Sequence, residues 1–79
     1  MTRLRLFAQA RDAALGEREV ELEGSTVAEV LDAGVERYGG AFAQVVAISA
    51  IWVNGEEAAP GDAVGSGDEV AVLPPVSGG

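Results

Sequence analysis

The chain contains no cysteine, no histidine and no lysine in its 79 residues. Without cysteine there are no disulfides, no thiolate nucleophiles and no iron–sulfur ligation. Losing histidine as well removes the usual ligands of zinc and copper, so no metal site is expected. Ser25, Ser49, Ser66 and Ser77 have neither histidine nor lysine to act as a base, which argues against a serine hydrolase. The absent lysines also leave no side-chain ammonium for Schiff-base chemistry or for accepting an isopeptide bond. Gly65-Ser66-Gly67 lacks the third glycine of a dinucleotide fingerprint, since Val70 stands there, and a strand follows it. Long apolar runs are missing too. Val45 to Val53 is the longest, is broken by Ser49, and is too short for a bilayer. Met1 to Phe7 carries two arginines with no apolar run behind them, so no targeting signal is read. The cysteine usage is compatible with a reducing cytoplasm, and a cytoplasmic location is the expectation.

What remains is one small, acidic domain. The formal charge is −8, with all five cations being arginine, and 48% of the residues are apolar. Such a chain repels phosphate backbones, so nucleic acid is not an expected partner. A protein with a basic surface is. Asp62, Asp68 and Glu69 read as solvated turn acids rather than cation ligands.

Hydrophobic periodicity sets out the elements. Thr2 to Ala8 alternates, with Leu4, Leu6 and Ala8 on one side and Arg3, Arg5 and Phe7 on the other. Arg18 to Glu23 alternates again, placing Val20 and Leu22 inward, with a turn over residues 14–17. Val27, Val30, Leu31, Val35 and Tyr38 then follow a helical stripe. Thr26 and Glu29 fit a capping box, and Gly39-Gly40 fits a C-terminal stop. Gly34 on the stripe predicts a close helix–sheet approach. Residues 41–49 fit either a helical turn or an early strand start. Ala50 to Asn54 is a strand, Asn54-Gly55 a hairpin turn, Glu56 to Ala59 a short charged return strand, and Glu69 to Leu73 the last strand. One amphipathic helix needs one sheet face to cover. The order therefore predicts an α+β, ubiquitin-like β-grasp: a mixed sheet, one main helix on one face, and parallel first and last strands at the centre. Residues 1–73 form the domain and 74–79 a protruding tail.

Two features stand out for function. Alternation puts Phe7, Trp52 and Leu73 on the sheet face away from the helix, flanked by Arg3 and Arg5, which reads as a binding patch. The second feature is the tail, PPVSGG. Pro74 and Pro75 cannot continue a strand ladder and favour an extended path. Six residues reach about 20 Å. Gly78 and Gly79 are slim enough to thread a narrow channel, with Val76 and Ser77 behind them. A carboxylate at Gly79 is a poor acyl donor until activated, so the tail reads as a substrate for another protein's enzyme.

FAQARD (Phe7 to Asp12), VNG (Val53 to Gly55), GDEV (Gly67 to Val70) and LPPVSGG (Leu73 to Gly79) together resemble the MoaD family. Its members are small subunits of molybdopterin synthase, related to the thiamine-pathway sulfur carrier and to ubiquitin. The resemblance implies a carrier without catalytic side chains or a bound cofactor of its own. It implies adenylation of Gly79 with ATP by an E1-like, MoeB-type adenylyltransferase, and conversion to a thiocarboxylate by a sulfur donor. The tail then enters a MoaE-type large subunit, in a heterotetramer built on a large-subunit dimer, and gives sulfur to the pterin precursor of the molybdenum cofactor. Pro74 to Gly78 would thread the channel. Phe7 and Leu73 match the family's apolar contacts, Arg11 a polar one, and Glu57 departs from the more apolar pattern. Carriers for thiamine, cysteine or secondary metabolites stay open, as does a protein modifier joined through the same glycine.

Overall fold

The computed structural model describes residues 1–75, so the expectations for Val76, Ser77, Gly78 and Gly79 lie outside the described residues. Strand β1 (Thr2–Leu6) buries Thr2, Leu4 and Leu6 and exposes Arg3 and Arg5. The alternation stops there. Ala8, expected to be a third inward residue, is exposed with φ 49°. That backbone turn lifts the chain out of the sheet and starts a short helix, α1 (Gln9–Ala13), which the sequence reading lacked. The turn brings Ala10 and Ala14, four apart and hence on one helix face, fully into the core.

Strand β2 (Glu19–Leu22) runs antiparallel to β1, pairing Val20 with Leu4. Helix α2 (Val27–Tyr38) begins as its capping residues dictate. Thr26 Oγ1 accepts the Glu29 N–H at 3.2 Å. The Glu29 carboxylate reaches back to Ser25, accepting its N–H and its hydroxyl at 2.9 Å each. The returning arm of the box thus lands one residue before the cap. Residues 41–49 resolve as helix α3 (Gly40–Ile48). Phe42 explains the choice, because a helical path drives its ring fully into the core. Val45 and Val46 cover the same region, and Tyr38 packs its ring 5.2 Å from that of Phe42. The close approach expected at Gly34 is real, but its main partner is α3 rather than the sheet. A Cβ at Gly34 would lie 2.8 Å from Phe42 Cε2, and 3.5 Å from Leu4 Cδ2.

The remaining strands are β3 (Ala50–Val53), β4 (Glu56–Glu57) and β5 (Glu69–Leu73), and the sheet order is β2-β1-β5-β3-β4. Strand β5 lies parallel to β1, with Val70 beside Leu4, and antiparallel to β3. Asn54 and Gly55, at φ 51° and 85°, make the two-residue turn into β4 that their sequence predicts. The return strand is shorter than Glu56 to Ala59, because the Ala59 N–H donates to the Asp62 carboxylate (2.9 Å). Helices on one face and a five-stranded mixed sheet with parallel outer-sequence strands at its centre make this a β-grasp.

Asp68 ties the turns together. Its carboxylate accepts from Asn54 Nδ2 and from the Gly65 N–H, both at 2.9 Å, while Asn54 Oδ1 accepts the Glu69 N–H at 3.0 Å. These donors, Asn54 first, hold the Asp68 carboxyl below its ordinary value of 3.8. The Ser25 donors hold Glu29 below 4.5. Both groups therefore bind fewer protons folded than unfolded. Their stabilisation is complete above those ordinary values and is lost as pH falls through them and below. The thermal unfolding midpoint, followed by circular dichroism, should stay level from neutral pH to about 5 and then fall. Asp68→Ala should lower the midpoint at neutral pH and flatten the acid decline; an unchanged acid profile would assign the decline to other groups.

Candidate functional site

The sheet face opposite the helices carries the candidate contact surface. Val70 and Val72 are fully buried, so alternation turns Ala71 and Leu73 to the other side. Across β3, Trp52 pairs with Ala71 and Ala50 with Leu73. Leu6 is the partner of Val72, which sets Phe7 beside Leu73 just past the last registered pair. Phe7, Trp52 and Leu73 are each half-buried. The three expected patch residues therefore do share one face.

Charged side chains frame them. Arg3 meets Glu19 at 3.0 Å and Glu69 at 3.4 Å, and Arg5 meets Glu69 at 3.5 Å. The Arg5 guanidinium also lies 5.2 Å from the Phe7 ring centroid. Exposed pairs of this kind are worth about 0–1 kcal/mol each. Their effect is to fix where the arginines sit rather than to hold the fold. On the far side Glu57 pairs with Trp52 across the sheet edge, so an acid borders the aromatic.

Arg11 sits apart from the flat face. Helix α1 sets it, half-buried, in a shallow cleft of about 340 Å³ lined by Arg5, Leu6, Phe7, Arg11, Arg18 and Glu19. Arg18 was not singled out from the sequence. It reaches the cleft because its carbonyl accepts the Leu6 N–H at 2.9 Å, a pairing that periodicity alone does not announce.

The tail leaves this end of the sheet. Pro74 is half-buried and Pro75 exposed, immediately after Leu73. Strand β5 is central, so the chain departs beside the Phe7–Leu73 pair and not from an edge. Gly79 and residues 76–78 lie outside the described residues. Of the three turn acids Asp62, Asp68 and Glu69, the first two accept backbone N–H groups in their turns and Glu69 meets Arg3 and Arg5. No group of three or more acids that would hold a metal occurs among the described residues. No helix of the described residues is long and apolar enough to cross a membrane.

A β-grasp whose last strand ends at mid-sheet beside an apolar face has the architecture of the small ubiquitin-like carriers and modifiers. The chain belongs to the ThiS family, whose model matches residues 4–79. Small archaeal modifier protein 1 of Haloferax volcanii is 36% identical over 85 residues, covering 95% of this chain and 97% of that protein. Its crystal structure superposes with a TM-score of 0.80 at 37% identity, over 99% of this chain and 98% of that one. A chain in the BexX/CysO complex of Amycolatopsis orientalis gives 0.85 at 28% identity, covering both chains completely. A putative molybdopterin converting factor subunit 1 from Pyrococcus furiosus gives 0.76 at 30%, over 95% of this chain and 97% of that one. These relatives place the chain among small ubiquitin-like carriers and modifiers that are generally not catalysts themselves. They span both carrier and modifier names, so the MoaD reading is supported at the level of the wider ThiS/MoaD group.

Proposed function

We propose that this protein is a sulfur carrier, and within that class the small subunit of a molybdopterin synthase. The observation that carries the reading is a coincidence of two facts. The family match runs through Gly78 and Gly79, and the central strand β5 ends at Leu73 beside Phe7, at the root of that segment. In this cycle the Gly79 carboxylate attacks the α-phosphate of ATP on an E1-like, MoeB-type enzyme and pyrophosphate leaves. The terminal sulfur of a donor persulfide then displaces AMP to give an acyl disulfide. A thiol of the donor or activating enzyme attacks that disulfide, releasing the Gly79 thiocarboxylate and leaving a disulfide on the enzyme side. A MoaE-type large subunit receives the tail and supplies the catalytic side chains. Phe7, Leu73, Trp52 and Arg11 contact the partner, and Pro74 to Gly78 thread its channel.

Intact-mass spectrometry after incubation with the organism's own activating enzyme, ATP and a sulfur source tests the carrier step. The expected result is exchange of one oxygen for sulfur at Gly79. Absence of that exchange with an active enzyme would sink the proposal.

A second reading is favoured by the identity to the Haloferax modifier. Here Gly79 is joined to lysines of other proteins after the same activation. Having no lysine, the chain offers no side-chain amine for building branched chains on itself. Recovery of Gly79–lysine cross-linked peptides from many cellular proteins would select this reading over the first.

A further inference from the structure

The chain carries net charge −8, yet three of its five arginines line one cleft. Arg5 is held there by Glu69 and by the Phe7 ring. Arg11 and Arg18 have no carboxylate within 4.0 Å among the described residues, whereas Arg3 has two and Arg5 and Arg37 one each. Two arginines without a carboxylate partner among the described residues thus line one cleft together with Leu6 and Phe7. A guanidinium without a carboxylate partner at the edge of a cleft is suited to planar, two-point recognition of a carboxylate.

We propose that this cleft receives the carboxylate of one Asp or Glu side chain projecting from the E1-like enzyme that activates the tail. The charge pattern selects this occupant. Glu19 lines the same cleft and the whole molecule is acidic, so a polyanion or a nucleic acid is repelled. A lone carboxylate set in a basic and apolar surround satisfies both signs. It meets Arg11 and Arg18 while its surround faces the acids of β2 and β5. Position supports the same partner. The cleft opens next to Phe7, which neighbours Leu73, so a protein seated over the tail exit also covers the cleft. Covering excludes water and strengthens the pair well beyond its exposed value. The contact fixes the rotation of the domain about its tail, which two proline-led residues do not fix alone.

The choice of partner rests on the carrier reading; the ligand chemistry does not. The test therefore has two arms. In the first, nuclear magnetic resonance follows the full chain titrated with N-acetyl-glutamate amide, N-acetyl-glutamine amide and inorganic phosphate. Shifts should centre on Phe7, Arg11 and Arg18 and favour the glutamate probe over the glutamine one by about fivefold. Equal response to glutamate and glutamine, or a stronger response to phosphate, overturns the carboxylate site. In the second arm, binding to the purified activating enzyme is measured for the wild type, for Arg11→Gln/Arg18→Gln and for Arg37→Gln. The double variant should bind about 30-fold more weakly and with less salt dependence, while Arg37→Gln binds like the wild type. Equal losses in the two variants overturn the proposal. A wild type that binds the glutamate probe but no activating enzyme refutes the carrier reading and leaves the site standing.

Discussion

Deleting Gly79 is expected to cut sulfur loading by at least about 10²-fold, because the new terminal carboxylate falls about 3.3 Å short of where an activating enzyme takes it. A displacement of even 1 Å at a reacting group costs on that order. The fold should not notice. Among the described residues every fully buried side chain lies at or before Val72, so the deletion removes none of them. The unfolding midpoint should stay within about 3 °C of the wild type. Intact mass after a fixed incubation reads the loading, and a calorimetric scan reads the fold. Equal loading of the shortened chain would mean that the reactive position is not Gly79.

The second large effect lies in the core. Phe42→Ala is expected to cost about 3–5 kcal/mol, against a total of about 4–12 kcal/mol for a domain of this length. Phe42 is the largest fully buried side chain, and its ring fills the gap that Gly34 leaves between α2 and α3. The two positions should therefore be coupled. Alone, Gly34→Ala gains about 1 kcal/mol of helix propensity but forces a methyl to 2.8 Å from the ring, a contact real Cβ atoms do not make. Overpacking of that kind costs about 1–3 kcal/mol, so the single change destabilises or breaks even. In the Phe42→Ala background the obstruction is gone and the same change should stabilise. Urea unfolding of the four species measures the reversal. Additivity between the two sites would show that α2 and α3 adjust independently.

These two cases mark how far the sequence could be read. Elements whose pattern is local were legible. Thr26 and Glu29 start α2, Asn54-Gly55 turns β3 into β4, and the alternation of β1 and β2 sorts core from surface. Helix α1 was not legible, because five residues hold too little of a 3.6-residue period and its decisive signal is a positive φ at Ala8. Helix α3 was ambiguous because Phe42, Val45, Val46 and Ile48 satisfy a buried strand as well as a helix. Only the pocket beside Gly34 decides between them, and that pocket is made by other elements.

The candidate surface divides in the same way. Phe7, Trp52 and Leu73 follow from alternation, a property of each strand alone. The Arg11–Arg18 cleft depends on α1 returning the chain to β2. The bonds from Asn54 to Asp68 and Glu69 join two turns that sequence spacing leaves unrelated. Asp68 looked like a solvated acid for that reason, although it holds the turn before β5 in place.

The place of β5 also sets the order of assembly. The strands that flank it, β1 and β3, belong to separate hairpins with no shared ladder until β5 enters. The pairing of Arg3 with Glu69 spans nearly the whole chain, and such distant contacts make folding slow. A ribosome must therefore synthesise the chain through Leu73 before the sheet can close. A product terminated earlier lacks the strand that joins the two hairpins. In this architecture completion of the fold is a built-in check on synthesis up to the root of the tail and no further, since a chain that stops within the tail still closes its sheet.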